Sequence, residues 1–211
     1  MCLETMDDSA RFSSPVSVPR PRGSRLIEGY SPKLGRRLKC VGRHAFEQWI
    51  RLESDPTVLT FCERPVTWDQ NGEQRLIDFW IRDRDQETLL VVGDDPPLPA
   101  KAIGNISIPV RKVPLAELAA ASIWITNWER MLPCMIACRS CLTIALLKAV
   151  ARFVTEPMQL SRIERELSLG DPTLLRAAVF TLLHRGRLQA PKLVTESLSY
   201  LTVFAPAGEC P

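Results

Sequence analysis

The chain has 211 residues, 45% of them hydrophobic and 24% charged, which suits one large domain, or a medium domain plus a small one, around a packed core. No apolar run reaches the ~18 residues a membrane-spanning helix needs. Residues 1–10 carry three acids and no apolar core of signal-peptide type, so a cytoplasmic protein with no membrane partner is expected. Seven cysteines, an odd number, read as reduced thiols, and two histidines leave little room for histidine-based metal sites or Ser-His-Asp chemistry.

The net charge of +3 is unevenly spread. Residues 1–43 hold nine Lys/Arg against four acids, 44–100 hold five against twelve, and 101–211 hold thirteen against eight. Either the basic ends are solvated surface, or they face a polyanion while the acidic centre holds a cation or a catalytic carboxylate cluster.

In chain order, residues 1–29 read as a basic tail. Ser13 to Arg25 mixes Pro, Ser and Arg without apolar periodicity, which predicts an extended, mobile segment. Ser31 to Arg37 is basic and turn-rich; Lys33, Arg36 and Arg37 would suit phosphate contacts, or the segment is a solvated linker. Residues 44–54 place Phe46, Trp49 and Ile50 at helical spacing, and Asp55-Pro56 stops that helix. Val58–Phe61, Val66–Trp68, Leu76–Ile81 and Thr88–Val92 read as short strands, with hairpin-turn chemistry in Asp69-Gln-Asn-Gly72. Pro96, Pro97 and Pro99 break the chain before one more strand over Ile106–Val113. Leu115–Trp128 is predicted helical, as are residues 133–153. A helix beside a mixed sheet implies an α/β or α+β domain.

The last sixty residues change character. Leu160–Leu167 is an amphipathic helix, Gly170-Asp171-Pro172 a turn with Asp171 as N-cap, and Leu174–His184 a second helix ended by Gly186. Arg187–Ala190 and Tyr200–Phe204 read as strands. Helix, helix, strand hairpin is the order of a winged helix, in which Arg176, Arg185 and Arg187 would face DNA; the alternative is a small protein-docking domain. His184 is read as a helix-terminal residue meeting the dipole. Cys134, Cys138 and Cys141 match the spacing of thiolates that hold an iron–sulfur cluster, but i, i+4, i+7 is also one face of a continuous helix, where Cys packs as a small apolar residue.

Five motifs occur in order between Gly42 and Val92: Gly42-Arg-His-Ala-Phe-Glu47, Leu52-Glu-Ser-Asp-Pro56, Phe61-Cys-Glu-Arg-Pro65, Asp78-Phe-Trp-Ile81 and Leu89-Leu-Val-Val92. Together they resemble the N-terminal nuclease domain of TnsA, the endonuclease subunit of heteromeric cut-and-paste transposases, over roughly residues 30–115. The resemblance implies a restriction-endonuclease-like fold over 30–130 and a winged-helix domain over 133–205. It implies cleavage of the 5′ ends of a mobile element beside an integrase-like transposase and accessory transposition proteins, on double-stranded DNA at the nucleoid. Carboxylates converging on Mg²⁺ would polarise the scissile phosphate and generate hydroxide. By resemblance, Glu47 is the helix carboxylate and Asp78 the strand ligand, with Glu87, Asp94 or Asp95 as a displaced third. The family's Glu-x-Lys element is absent. Val91-Val92-Gly93 stands there, and no lysine occurs between Lys39 and Lys101. Two other readings keep parts of this picture: a catalytically impaired nuclease-fold assembly factor, and a winged-helix transcription regulator.

Overall fold

The computed structural model describes residues 11–17, 23–70, 73–95, 101–103, 106–167 and 171–208. It is a mixed α/β fold with six helices and several small sheets among those residues. Tertiary contacts divide it into two units, the first ending at Leu52 and resuming over Thr57–Glu117, the second comprising Glu53–Pro56 and Leu118 onward. The long helix starting at Ser122 belongs to the second unit, where it packs with the C-terminal helices.

The first unit opens with a hairpin, β1 (Leu26–Ser31) against β2 (Arg36–Val41), paired from Leu26↔Val41 to Ser31↔Arg36. Within the stretch predicted as tail and linker, Leu26–Ser31 and Arg36–Val41 are thus strands. Alternation explains it: Leu38 and Cys40 are buried while Arg37 and Lys39 face outward. Helix α1 (Arg43–Ser54) follows, its Trp49 lying on Gly29, where an added Cβ would stand 2.5 Å from the ring. Then come β3 (Thr60–Glu63), the hairpin β4 (Thr67–Gln70) and β5 (Glu73–Leu76), β6 (Phe79–Arg82) and β7 (Glu87–Val92). A second hairpin, β8 (Lys101–Ile103) and β9 (Ile106–Ile108), precedes β10 (Val110–Val113) and α2 (Leu115–Ala120). The turn residues Asn71 and Gly72, and the breaks at Pro96, Pro97 and Pro99, lie outside the described residues.

The central sheet has the order β10-β7-β6-β3. β3, β6 and β7 form an antiparallel meander, and β10 runs parallel to β7. A parallel neighbour needs a long crossover, and the chain carrying β8 and β9 supplies it without a helix among the described residues. Cys62, Trp68, Ile77, Trp80, Leu89, Val91 and Ile108 form one buried cluster. By strand alternation Phe61 and Phe79 point the other way, their ring centroids 6.4 Å apart. The tail contributes to this core, with Phe12 edge-on to Trp80 at 5.6 Å.

In the second unit α3 (Ser122–Cys138) buries Ile125, Trp128, Met131, Leu132 and Met135 along one helical stripe. The helical expectation is redistributed here. The break falls between α2 and α3 and again at residues 139–143, while Pro133 is accepted inside α3. Cys141 lies beyond the end of α3, so the three cysteines do not share one continuous helix. Thr143 caps α4 (Ile144–Phe153) by accepting from Leu146 N at 3.1 Å. β11 (Met158–Gln159), α5 (Leu160–Glu166), α6 (Pro172–His184), β12 (Leu188–Gln189) and β13 (Val203–Pro206) complete the unit. The predicted N-cap holds: Asp171 Oδ1 accepts from Thr173 N at 2.8 Å, with Pro172 in the first turn; Gly170 lies outside the described residues. The strands form an antiparallel sheet of order β11-β13-β12. No helix among the described residues is long and apolar enough to cross a membrane.

Candidate functional site

Asp78 stands just before β6, where the meander meets the end of β7. Its N–H donates to Leu90 O at 3.0 Å, and its carbonyl accepts from Arg64 N at 2.7 Å. Its carboxylate Oδ2 accepts from Val92 N at 2.7 Å, extending the ladder between the two strands with a side chain. Burial pushes this carboxyl up to about 6, against the Val92 hydrogen bond and the Arg75 guanidinium, while Asp95 adds to the rise.

The other sequence-derived ligands are elsewhere. Glu47 pairs with Arg43 one turn back on α1, at 2.8 Å. Glu87 starts β7 opposite Arg82, so about four strand residues, on the order of 13 Å, separate it from the level of Asp78. Its Oε2 accepts from Arg11 Nε at 2.8 Å and Trp80 Nε1 at 3.1 Å. Asp94 and Asp95 are exposed. Asp94 Oδ1 accepts from Leu115 N at 3.2 Å, and Asp95 meets Arg75 at 3.0 Å. Among the described residues no three His, Cys, Asp or Glu side chains gather as metal ligands. Glu47, Asp78 and Glu87 therefore do not form the expected set, nor do Cys134, Cys138 and Cys141. Mg²⁺ requires near-octahedral oxygen ligation, and this donor set does not fit it.

At the positions where the resemblance would place Glu-x-Lys stand Val91 and Gly93. Val91 is 5% exposed and belongs to the Trp80–Leu89–Ile108 cluster, so a carboxylate there would sit unpaired in apolar surroundings. Gly93 has φ +134°, a backbone conformation L side chains rarely adopt. Its N–H is fixed to Val113 O at 3.0 Å. Gly93 thus lies just past the end of β7 in a conformation that suits glycine.

The sequence reading gave no role to Glu63, yet it is the most deeply placed acid near Asp78. It is 2% exposed, and Arg36 clamps it at both oxygens, at 2.8 and 2.6 Å. The hydrogen bond to Glu63 holds the Arg36 guanidinium above its ordinary range, outweighing burial. Cys40, buried among Glu63, Arg64 and Asp78, has its thiol pushed up to about 12, chiefly by burial. Arg64 between them has φ +47°, which for a non-glycine residue ahead of proline is strained. The signal for Glu63 was its place in an apolar strand, Phe61-Cys62-Glu63; the partner twenty-seven positions away carried none.

The expected DNA-facing cations divide in two. Arg37, Arg185 and Arg187 are exposed. Lys33 Nζ donates to Leu52 O at 2.8 Å, Arg36 is held by Glu63, and Arg176 is held by Glu164 and lies 5.0 Å over the Tyr200 ring. Helix α6 is open to solvent only over its first turns, at Pro172, Thr173, Leu174 and Arg176. Leu175 and every residue from Ala177 to His184 are buried, as expected of a helix apolar on all sides. His184 does more than meet the helix dipole: its Nε2 lies 2.9 Å from Oε1 of Glu53, which is fully buried.

No protein family matches this chain, and no curated protein matches it either.

Proposed function

We propose that this chain is a nuclease-fold subunit of a DNA-transposition system, similar to TnsA in its first unit, that assembles element ends with an integrase-like transposase and does not itself hydrolyse DNA. The observation carrying this reading is the pair Val91 and Gly93. The first is built into the apolar core and the second into a backbone turn, so neither position accepts the catalytic residue of the resemblance. The order of elements supports the lineage. A helix precedes a strand ending in Glu63-Arg64-Pro65, followed by a hairpin, by Asp78-Phe79 entering β6, and by the apolar β7 in a mixed sheet. The dispersal of Glu47, Glu87 and Asp95 into separate ion pairs supports the loss of cleavage.

In the second unit α5, α6, β12 and β13, with β11 completing the sheet, favour a winged-helix reading. Because α6 is buried from Ala177 onward, this domain serves partner docking, and its DNA contacts are phosphate contacts from Arg185 and Arg187, with Arg37 contributing from the first unit. Such binding weakens with salt, each neutralised phosphate adding about −0.9 to the slope of log K against log salt.

The test is a gel-shift titration of a labelled transposon-end duplex with the transposase, with and without this chain, at several salt concentrations. The reading expects this chain to tighten or supershift the complex, and Arg37→Ala, Arg185→Ala and Arg187→Ala together to flatten the salt slope. No effect of the chain on the complex would refute it. Dimeric binding to a palindromic site without transposase would favour a transcription regulator instead.

A further inference from the structure

We propose that a cleft of about 330 Å³ on the second unit binds a small organic monoanion, a carboxylate carried on an apolar or aromatic body. Its size falls at the lower end of the range for small-molecule sites. Two arginines, three hydroxyl side chains and an apolar surface line it, and no acidic side chain does.

The cations are placed for a single negative group. Arg130 Nη1 donates to Leu198 O at 3.0 Å, which fixes the guanidinium at the wall. Its Nε and Nη2 remain available, the geometry a carboxylate takes in two parallel bonds. Arg176 engages Glu164 through Nε and Nη2, and the Tyr200 hydroxyl through Nη2 at 3.3 Å. Its charge is thus balanced by Glu164, and Arg130 supplies the net positive charge. That balance selects a monoanion over a phosphate dianion. Asp171, beside the cleft, is turned to its N-cap contact.

The hydroxyls add donors. Ser199 Oγ accepts from Leu201 N at 3.2 Å and Tyr200 Oη accepts from Arg176, leaving the hydroxyl hydrogens to point at a ligand. Leu160 and Phe180, each 3% exposed, form apolar surface at the cleft. An inorganic anion would leave that surface wet, whereas an acid with a short chain or ring covers it.

Titration of the full chain with benzoate and hexanoate by calorimetry, beside benzamide, hexanol and inorganic phosphate, tests it. Both acids are expected to bind with dissociation constants of about a millimolar or lower, as fragment-sized ligands do. The neutral analogues and phosphate should bind at least about ten-fold more weakly. Arg130→Gln should weaken the acids about ten-fold or more with an unchanged melting temperature, while Lys148→Gln, exposed and outside the cleft, should leave them unaltered. Absence of binding by both acids, equal binding of benzamide and benzoate, or indifference to Arg130→Gln would overturn the proposal.

Discussion

Asp78 is a carboxylate used as backbone. Its Oδ2 takes the Val92 N–H where a strand carbonyl would ordinarily stand, at the expense of burying an ionisable group. With its folded-state value raised to about 6 from 3.8, the folded chain holds this proton more tightly than the unfolded chain. Its effect is therefore absent below pH ~4. It destabilises the fold progressively as pH rises through 6, and is constant above, amounting to on the order of 2–3 kcal/mol. Asp78→Asn keeps an oxygen acceptor for Val92 without the charge. Denaturant unfolding of the two proteins from pH 4 to 8 should show the variant gaining stability relative to wild type as pH rises, levelling off above pH ~7. A difference that does not change with pH would contradict the burial argument. Arg36–Glu63 differs in kind, since Glu63 is 3% exposed at its side chain and Arg36 31%. Arg36→Met strands the acid, and the expected loss is about 3 kcal/mol at neutral pH, at the lower end for a broken buried pair because Arg36 reaches water. Arg36→Met with Glu63→Leu should recover most of it, as read from urea midpoints.

At the scale of elements, helix α3 holds more than its apolar stripe. Asn127, 1% exposed, donates from Nδ2 to Leu193 O at 2.9 Å and Glu196 O at 2.8 Å, and accepts from Leu198 N at 2.7 Å. One amide thus satisfies three backbone groups in the connection between β12 and β13. Asn127→Leu should cost about 3 kcal/mol or more, since each buried polar group left unpaired costs about 1–3 kcal/mol. Amide exchange should accelerate over residues 193–198 before it does in α6; unchanged protection there would refute the assignment. Much of the element order was legible in the sequence. The helical spacing of Phe46, Trp49 and Ile50, the apolar run of β7 and the Asp171-Pro172 start of α6 all correspond to observed elements. Two things were hidden. The β1–β2 hairpin was masked by basic residues on its exposed face, because alternation over six residues is a short signal. The helix break at residues 139–143 was hidden because Pro133, a stronger local breaker, is tolerated inside α3.

Across the molecule, the uneven charge along the chain is resolved by folding. The sequence concentrates acids over residues 44–100 and cations before them, a pattern that suggested a catalytic carboxylate cluster. In the first unit these stretches interleave: Arg36 goes to Glu63, Arg11 to Glu87 and Arg43 to Glu47. Glu47, Glu63, Glu87 and Asp95 are each matched to a guanidinium group, not to each other. Sequence spacing could not reveal this, because the pairs Arg11–Glu87 and Arg36–Glu63 are made across the fold. The candidate site was legible at Asp78 and in the absence of Glu-x-Lys; the physical meaning of that absence lay in the burial of Val91 and the φ of Gly93.

Strand cleavage of a labelled transposon-end duplex separates an assembly role from a nuclease. The purified chain would be assayed with and without the transposase, in Mg²⁺ and in Mn²⁺, beside Asp78→Ala. A folded, DNA-bound chain is expected to add no 5′-strand nicking in either metal, and Asp78→Ala to change nothing in the products. Metal-dependent 5′ nicking by the wild-type chain that disappears in Asp78→Ala would contradict the assembly role.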